Sequence, residues 1–204
     1  MIWILDEPRT TVYEKLIDYA LSKSDAFMLV LRRQFDCDIN DFEFILLKQE
    51  EFENQMQYQK YLKSCEKSQK EMLIRAQIYK ERKKPFLLKL QPYLIKVRHK
   101  PEEWPSTMCG DRSNKINFDI NLYKVCREVR AHLLEPEGLF HWIYPYFPED
   151  LCFFNDGYCW LSTSAHEGDA EIYTNNKDDV QVLKDLGLKF KYKDKEIKMF
   201  YEEY

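Results

Sequence analysis

Residues 148–173 have the sequence PEDLCFFNDGYCWLSTSAHEGDAEIY, and they carry the strongest structural signal in the chain. Two apolar runs flank Asn155-Asp156-Gly157, and an Asp-Gly pair between apolar runs is a strong short-range signal for a β-hairpin. The second run ends at the polar bend His166-Glu167-Gly168-Asp169, after which Ala170 to Tyr173 resumes the strand pattern. The stretch therefore predicts three consecutive strands joined by two tight turns.

The first half of the chain alternates helical and strand patterns. Thr10 and Thr11 can cap a helix with an apolar face at helical spacing, formed by Val12, Leu16, Ile17 and Ala20. The apolar run 26–31 predicts a strand buried on both faces, while 41–47 fits a strand or a helix start. From about 49 to 84 there is no glycine or proline, which predicts one or two long helices. The polar interval 63–70 indicates that the helix projects from the body or breaks there.

The second half supplies most of the predicted sheet. Periodicity and turn residues predict strands at 93–99, 116–120 and 188–192, a polar loop at 109–114, and helices at 122–133 and 178–186. Together with the hairpin unit, this order predicts an α+β fold with a mixed or antiparallel sheet and several helices. We expect a single domain over 1–204, either as one body or as two lobes, about 1–84 and 85–204, that share one core.

Composition narrows the class of protein. The 204 residues are 45% hydrophobic and 15% aromatic, as in globular proteins, and disordered chains have lower values. Nowhere do eighteen apolar residues follow one another, so no membrane span and no membrane partner are expected. The N-terminal residues 1–7 are apolar for only five positions and lack a basic lead, which predicts a strand and a cytoplasmic protein.

Six cysteines stand at positions 37, 65, 109, 126, 152 and 159, with no Cys-x-x-Cys pair and no zinc-finger spacing. Cys152 and Cys159 can face each other across the hairpin, which would allow a disulfide or a shared metal site. Our interpretation is that they are buried thiols, because a cytoplasmic compartment is reducing and a free cysteine packs as a small hydrophobe.

The net charge of −4 conceals an uneven distribution. Between Lys80 and Lys100 there are eight basic residues and one acidic residue, a local charge of +7 that leaves −11 for the rest of the chain. Such asymmetry is typical either of an anionic partner or of a solvated helix end followed by a strand edge that lysines protect. We favour the second interpretation.

Three segments, 102–107, 142–154 and 165–170, carry distinctive motifs: Trp-Pro-x-Thr, Pro-Glu-Asp-Leu-Cys-Phe-Phe and His-Glu-Gly-Asp-Ala. In this order they resemble a family of small bacterial proteins, mostly from spore-forming Gram-positives, with no activity assigned; some members carry a stage III sporulation label. The resemblance covers roughly 85–190 and implies family membership without implying any chemistry. One departure is Ser106, which stands where the motif has glycine, and this puts a left-handed turn in question.

The pair His166-Glu167 is the main candidate for chemistry. It can act as a general base with an orienting carboxylate, or bind a metal together with Asp169 and Glu149 or Asp150. The alternative, which we favour, is a histidine that satisfies backbone groups at a strand end, with the next residues building the turn. We assign no catalytic residue, no metal ligand and no cofactor. The chain also lacks glycine-rich phosphate-binding motifs.

A binding surface is the function that these residues favour. Aromatic side chains at 104, 140, 142, 144, 146, 153, 154 and 160 can line a groove, although such density is more often core. We predict a contact surface at the strand ends, formed by Trp104, Pro105, Thr107, Glu149, Asp150, Trp160, His166 and Glu167. We expect the side chains of this surface to come together around a solvent-accessible hollow.

The sequence therefore predicts a protein- or ligand-binding module without catalytic activity. One alternative is a hydrolase or metal-dependent enzyme that uses His166 and Glu167. A second alternative is a nucleic-acid accessory protein that binds through the basic 80–100 segment, with Phe86 and Tyr93 interleaved among the charges. The acidic overall balance makes nucleic acid the less favoured partner.

Overall fold

The computed structural model describes residues 1–33, 46–108, 118–174, 176–192 and 200–204, with the backbone alone for Thr107 and Met108. The fold is α+β, as predicted. Within these residues ten strands are defined: β1 Ile2–Ile4, β2 Ala26–Arg32, β3 Leu94–His99, β4 Glu103–Trp104, β5 Thr107–Met108, β6 Phe118–Lys124, β7 Glu149–Asn155, β8 Tyr158–Ser164, β9 Asp169–Ile172 and β10 Phe190–Tyr192. The helices are α1 Thr10–Lys23, α2 Gln55–Leu90, α3 Arg130–Leu133 and α4 Lys177–Asp185.

Eight strands form one antiparallel sheet in the order β10-β1-β9-β8-β7-β2-β6-β3, and β4 pairs with β5 in a separate hairpin. Strands β1 and β2 lie among strands from the second half of the chain. The sheet thus unites segments from both sides of residue 84.

The predicted hairpin unit is confirmed as β7, β8 and β9. At the first turn Asp156 and Gly157 both have positive φ, 49° and 77°, which is the backbone that a two-residue type I′ turn requires. The register then shifts, because Phe154 lies opposite Cys159 while Phe153 lies opposite Leu161. This bulge places Trp160 and Leu161 in the same apolar cluster.

The main core lies between one face of the sheet and the helices. The apolar face of α1, Tyr13, Leu16, Ile17 and Ala20, is buried there, as are Leu133 of α3 and Leu183 of α4. Alternation along β2 decides the two faces, since Phe27 and Leu29 point into this core while Ala26, Met28 and Val30 point to the other side.

The opposite face of the sheet is covered by the β4–β5 hairpin and by residues 200–204. Trp104 and Phe200 pack against a smaller cluster that contains Met28, Cys152 and Cys159. The backbone of the terminal segment bonds to the hairpin, from Cys159 N to the Phe200 carbonyl and from Glu202 N to the Gly157 carbonyl, at 2.9 and 2.8 Å.

The long helix α2 begins later and ends later than the sequence predicts. A 3₁₀ turn occupies Gln49–Glu51, and the 36-residue helix runs through Pro85 to Leu90, about 54 Å in length. Its buried residues are Ala76, Tyr79, Phe86 and Leu90, so the first twenty-one residues contain none. The helix is continuous through 63–70, so the alternative of a break there is wrong; its first half has a half-buried side as well as an exposed one.

Two local predictions are wrong. The helix over 122–133 is mostly strand and 3₁₀ turn, because Leu122 pairs with Met28 in the sheet and Val125 N still bonds to the Asp25 carbonyl. Both faces of β6 are buried at residues 120–123. Apolar residues on both faces of a strand can have the same spacing as the apolar face of a helix, which is why the pattern was misleading. Thr10 and Thr11 do not cap α1: the N-cap is Arg9, without a side-chain bond, and the Glu137 carbonyl accepts from Thr10 N. The predictions for 41–45, 109–114 and 116 lie outside the described residues.

We predict that Gly157→Ala destabilises the protein more than Gly168→Ala. Both glycines have positive φ, 77° and 69°, so both substitutions strain the backbone by about 1 kcal/mol. A Cβ at 157 would also collide with the Tyr201 ring and lie 3.0 Å from the Glu202 carbonyl, whereas at 168 the nearest atom would be a Phe140 carbon at 4.0 Å. The extra cost is about 1–3 kcal/mol, measured by denaturant unfolding. Equal losses would mean that the terminal segment does not pack on the turn.

Candidate functional site

The carboxylate of Asp150 joins two segments that are distant in sequence. Trp104 Nε1 donates a hydrogen bond of 2.9 Å to Asp150 Oδ2, and Ala165 N donates one of 2.9 Å to Oδ1. Asp150 has a φ of 51°, and aspartate tolerates this left-handed conformation better than most residues. The Trp-Pro hairpin and the His-Glu bend therefore meet, as predicted, on the carboxylate at the start of β7.

This meeting point is closed to solvent. Trp104 is 4% exposed and Asp150 is 1% exposed, and Pro105 is also buried. Burial raises the pKa of Asp150 to about 6, the two hydrogen bonds oppose this shift, and the charge of Glu149 adds to it. The predicted open hollow is thus wrong at this point, because the side chains that would line it fill it and satisfy one another.

Glu149 serves a separate ion pair between β7 and β2. Its two carboxylate oxygens accept from Arg32 Nε and from Nη2, the second at 3.1 Å. The Arg32 guanidinium also lies over the rings of Phe118 and Tyr144, at 5.6 and 5.1 Å from their centroids. Glu149 is 4% exposed, so this carboxylate is engaged inside the protein.

His166 and Glu167 lie at the surface of the β8–β9 bend, with side chains 48% and 62% exposed. His166 Nε2 is 3.8 Å from Glu167 Oε1. Ser164 Oγ is buried and has no hydrogen-bond partner in the described part of the chain. Among the described residues, no group of three or more His, Cys, Asp or Glu side chains is placed to hold a metal ion. The pair therefore lacks a described partner for catalysis or for metal binding.

A chain of hydroxyl groups continues from the Trp104 hairpin across the sheet. Ser106 Oγ lies 2.6 Å from Ser162 Oγ, Ser162 Oγ donates to Tyr173 Oη, and Tyr173 Oη donates to Glu171 Oε2 at 2.6 Å. Ser106 has a φ of 62°, so the left-handed turn is present with serine in place of glycine. The bond to Ser162 offsets part of the strain. The Thr107 side chain lies outside the described residues.

The aromatic residues do not form a groove, because they are divided between both faces of the sheet. Most of them are buried, which is the more common role of such a density of aromatic residues. Trp104 and Phe154 belong to the smaller cluster, whereas Trp142, Phe153 and Trp160 belong to the main core. Trp160 is 6% exposed and meets Tyr19 edge-on at 5.7 Å between centroids. Alternation along β7 puts Phe153 and Phe154 on opposite faces, and the bulge in β8 puts Trp160 on the same side as Leu161, in the main core.

Cys152 and Cys159 are buried free thiols in the smaller cluster. Burial is the main cause that raises the pKa of Cys159 well above its ordinary value, and a hydrogen bond with Cys152 adds to it. The prediction that these two side chains are buried thiols is confirmed.

An open cavity of about 400 Å³ lies between α2 and the end of β2, and we call it the basic groove. It is lined by Leu31, Arg33, Lys80, Lys83, Lys84, Leu87, Leu88, Gln91 and Asp119. The lysines of the groove belong to the basic 80–100 segment that the sequence singles out. Arg33 and Asp119 could not be found in this way, because the pairing of β2 with β6 brings them to α2.

The charges of the basic groove are only partly compensated. Asp119 is engaged by Arg33 at 3.4 Å and by His99 at 2.9 Å. Lys83 Nζ lies 5.1 Å from the centroid of the Tyr79 ring. Lys80 and Lys84 form no ion pair with any described residue, and both are exposed. Among the described lining residues, four are cationic and one is anionic.

The remaining basic residues of 80–100 are divided among structural contacts. Lys89 pairs with Glu135 at 2.8 Å, while Arg98 and Lys96 pair with Glu202 of the terminal segment. Arg82 lies over the Tyr146 ring at 5.4 Å. The basic residues of 80–100 thus serve different parts of the surface: Lys96 and Arg98 share Glu202 at the sheet edge, Lys89 pairs with Glu135, and Lys80, Lys83 and Lys84 line the basic groove.

A second cavity, of about 550 Å³, lies between α1 and the segment that follows β6. Its lining mixes both signs of charge, and Arg130 is held there by Asp18 at 2.5 Å and by Glu14 at 2.7 Å. It shows no preference for one class of ligand.

Comparison with known proteins gives no match: no family model, no curated protein and no solved structure is similar to this chain. In the described ranges, each helix is too short or too polar to cross a membrane.

We predict that the stability of the protein rises as the pH falls from 7.5 to 5, in part through Asp150. Its pKa is higher in the folded chain, about 6, than its ordinary value of 3.8, so the folded state binds this proton more readily. The stabilisation is complete below pH 3.8 and is lost as the pH rises through about 6. Between pH 5 and 7.5 the change is roughly 1 kcal/mol.

The measurement is the free energy of unfolding in urea at several pH values for the wild type, Asp150→Asn and Glu167→Gln. Asp150→Asn should lose this part of the pH dependence. Glu167→Gln, which removes a surface carboxylate from the same bend, should keep it. Identical pH profiles for all three proteins would contradict the assignment of a buried carboxylate.

Proposed function

We propose that this protein is a binding module without catalytic activity, that its ligand is anionic, and that the ligand binds in the basic groove. One observation carries the proposal: three lysines of one α2 segment line an open cavity, and two of them, Lys80 and Lys84, have no ion-pair partner among the described residues. Clustered charges of one sign repel one another and favour a bound counter-charge.

The shape of the groove supports a ligand of defined size. A volume of about 400 Å³ is within the usual range for small-molecule sites, roughly 300–1,000 Å³. Leu31 and Leu87 supply an apolar floor, and the Gln91 amide supplies both a donor and an acceptor. This combination suits an anionic head group attached to a less polar body.

The absence of catalysis is proposed from the side chains that line the groove. Asp119 is the one carboxylate among the described lining residues, and it is engaged by Arg33 and His99. The described lining includes no serine, cysteine or histidine that could act as a nucleophile or base. The enzyme alternative at His166 and Glu167 has less support, because the nearby acid Asp150 is buried and already accepts two hydrogen bonds.

The predicted contact surface at the strand ends also has less support than the basic groove. Five of its members, Trp104, Pro105, Glu149, Asp150 and Trp160, are buried. Their removal would expose apolar surface or leave polar groups without partners, so alanine variants there report on folding. A partner would have to unfold this region to reach them.

We predict that replacing Lys80 and Lys84 together by glutamine weakens the binding of inorganic pyrophosphate about tenfold. Each exposed ammonium group is expected to contribute on the order of 0.5–1 kcal/mol to an anion bound between them. The measurement is titration calorimetry at low ionic strength. The matched control is Lys15→Gln with Lys177→Gln, which removes the same charge from two exposed lysines elsewhere and should leave binding unchanged. Equal affinities in all three proteins, or no saturable binding, would contradict the proposal.

A further inference from the structure

Four lysines lie along one face of α2 in its first half. Lys60, Lys63, Lys67 and Lys70 are separated by three, four and three residues, which places them on the same side of a helix. All four are exposed. We call this face the lysine ridge, and at 1.5 Å per residue it extends about 15 Å along the helix.

The lysine ridge points away from the half-buried side of α2. The half-buried residues in the same part of the helix include Tyr58, Leu62, Cys65, Gln69 and Met72. At 100° per residue, these positions lie on the opposite side of the helix from the ridge. Lys67 is 3.9 Å from Glu71, with side chains 80% and 63% exposed, and the other three lysines form no ion pair with a described residue.

We propose that the lysine ridge binds the phosphate backbone of double-stranded nucleic acid. The proposal goes beyond the proposed function, because the ridge lies on a different face of α2 from the basic groove. Lysine is suited to this contact as a flexible point charge that neutralises phosphate.

The composition of the ridge favours nucleic acid over a protein partner. Lysine is depleted at protein–protein interfaces, where aromatic and arginine anchors carry most of the affinity. The ridge has no aromatic residue and no arginine between Lys60 and Lys70 on its face; its apolar neighbours, Met56 and Ile74, lie beyond its two ends. Such a surface offers charge without the apolar pocket that a protein partner needs.

The same composition favours a duplex over a single strand. Proteins that bind single strands stack bases on aromatic side chains, and the aromatic residues of this helical half, Tyr58 and Tyr61, lie on the half-buried side. Duplex phosphates need only a regular row of cations. Since no group on the ridge can identify bases, binding is expected to be independent of sequence.

The helix α2 contains ten basic and three acidic residues in a chain with a net charge of −4. A polyanion is therefore attracted to α2 and repelled by the rest of the surface.

The test is fluorescence anisotropy with a labelled 24-base-pair DNA duplex over a range of salt concentrations. The ridge variant replaces Lys60, Lys63, Lys67 and Lys70 by glutamine, a comparable helix former. We expect it to lower the slope of log K against log salt by about 3–4, since each phosphate contact contributes about 0.9. The groove variant, Lys80→Gln with Lys84→Gln, removes two lysines from a different face of the same helix and should not change it. The control, Lys15→Gln with Lys177→Gln, should not change it either. Circular dichroism establishes that each variant keeps its helix.

The outcomes separate this inference from the proposed function. The ridge inference is overturned if the wild type and the ridge variant bind the duplex equally. It is also overturned if pyrophosphate binds to the protein but the duplex does not bind at all; in both cases the anion site in the groove stands. Tighter binding of single-stranded DNA or polyglutamate than of the duplex also overturns it. If neither variant differs from the control with either probe, the proposed function fails as well.

Discussion

The two hydrogen bonds that Asp150 accepts, from the Trp104 indole and from the Ala165 amide, determine what this end of the sheet can do. They tie the β4–β5 hairpin and the β8–β9 bend to the first residues of β7. A carboxylate removed from water is costly unless both oxygens are satisfied, and here two donors from separate segments satisfy them. The same bonds hold Trp104 over the smaller apolar cluster, so the region is closed to ligands.

The basic groove, at the end of β2, is the site that we propose for an anionic ligand. Glu202 pairs with both Arg98 and Lys96 on the edge strand β3, whereas Lys80 and Lys84 have no ion-pair partner in the described residues. Asp150 and Glu202 thus hold segments of the sheet together, whereas Lys80 and Lys84 of α2 are exposed to the solvent.

The local elements could be predicted because they depend on neighbouring residues. The Asp156-Gly157 turn, the apolar face of α1 and the long helix α2 all follow from spacing, composition and turn chemistry. The faces of the aromatic residues could not, because the bulge at Trp160 depends on the register between β7 and β8. The burial of Asp150 depends on pairing across 46 residues with Trp104. Asp119 joins the groove only through the pairing of β2 with β6, so sequence distance concealed it.

Hydrogen exchange of the Trp104 indole N–H tests the closed carboxylate most directly. The signal can be assigned by NMR through its absence in Trp104→Phe, and its exchange measured above pH 7, where Asp150 is ionised. A bond of 2.9 Å to a buried carboxylate predicts exchange many times slower than for a solvent-exposed indole. Exchange at the rate of an exposed indole would contradict the account, because it would mean that the hairpin stands open and that the strand ends are accessible to a ligand.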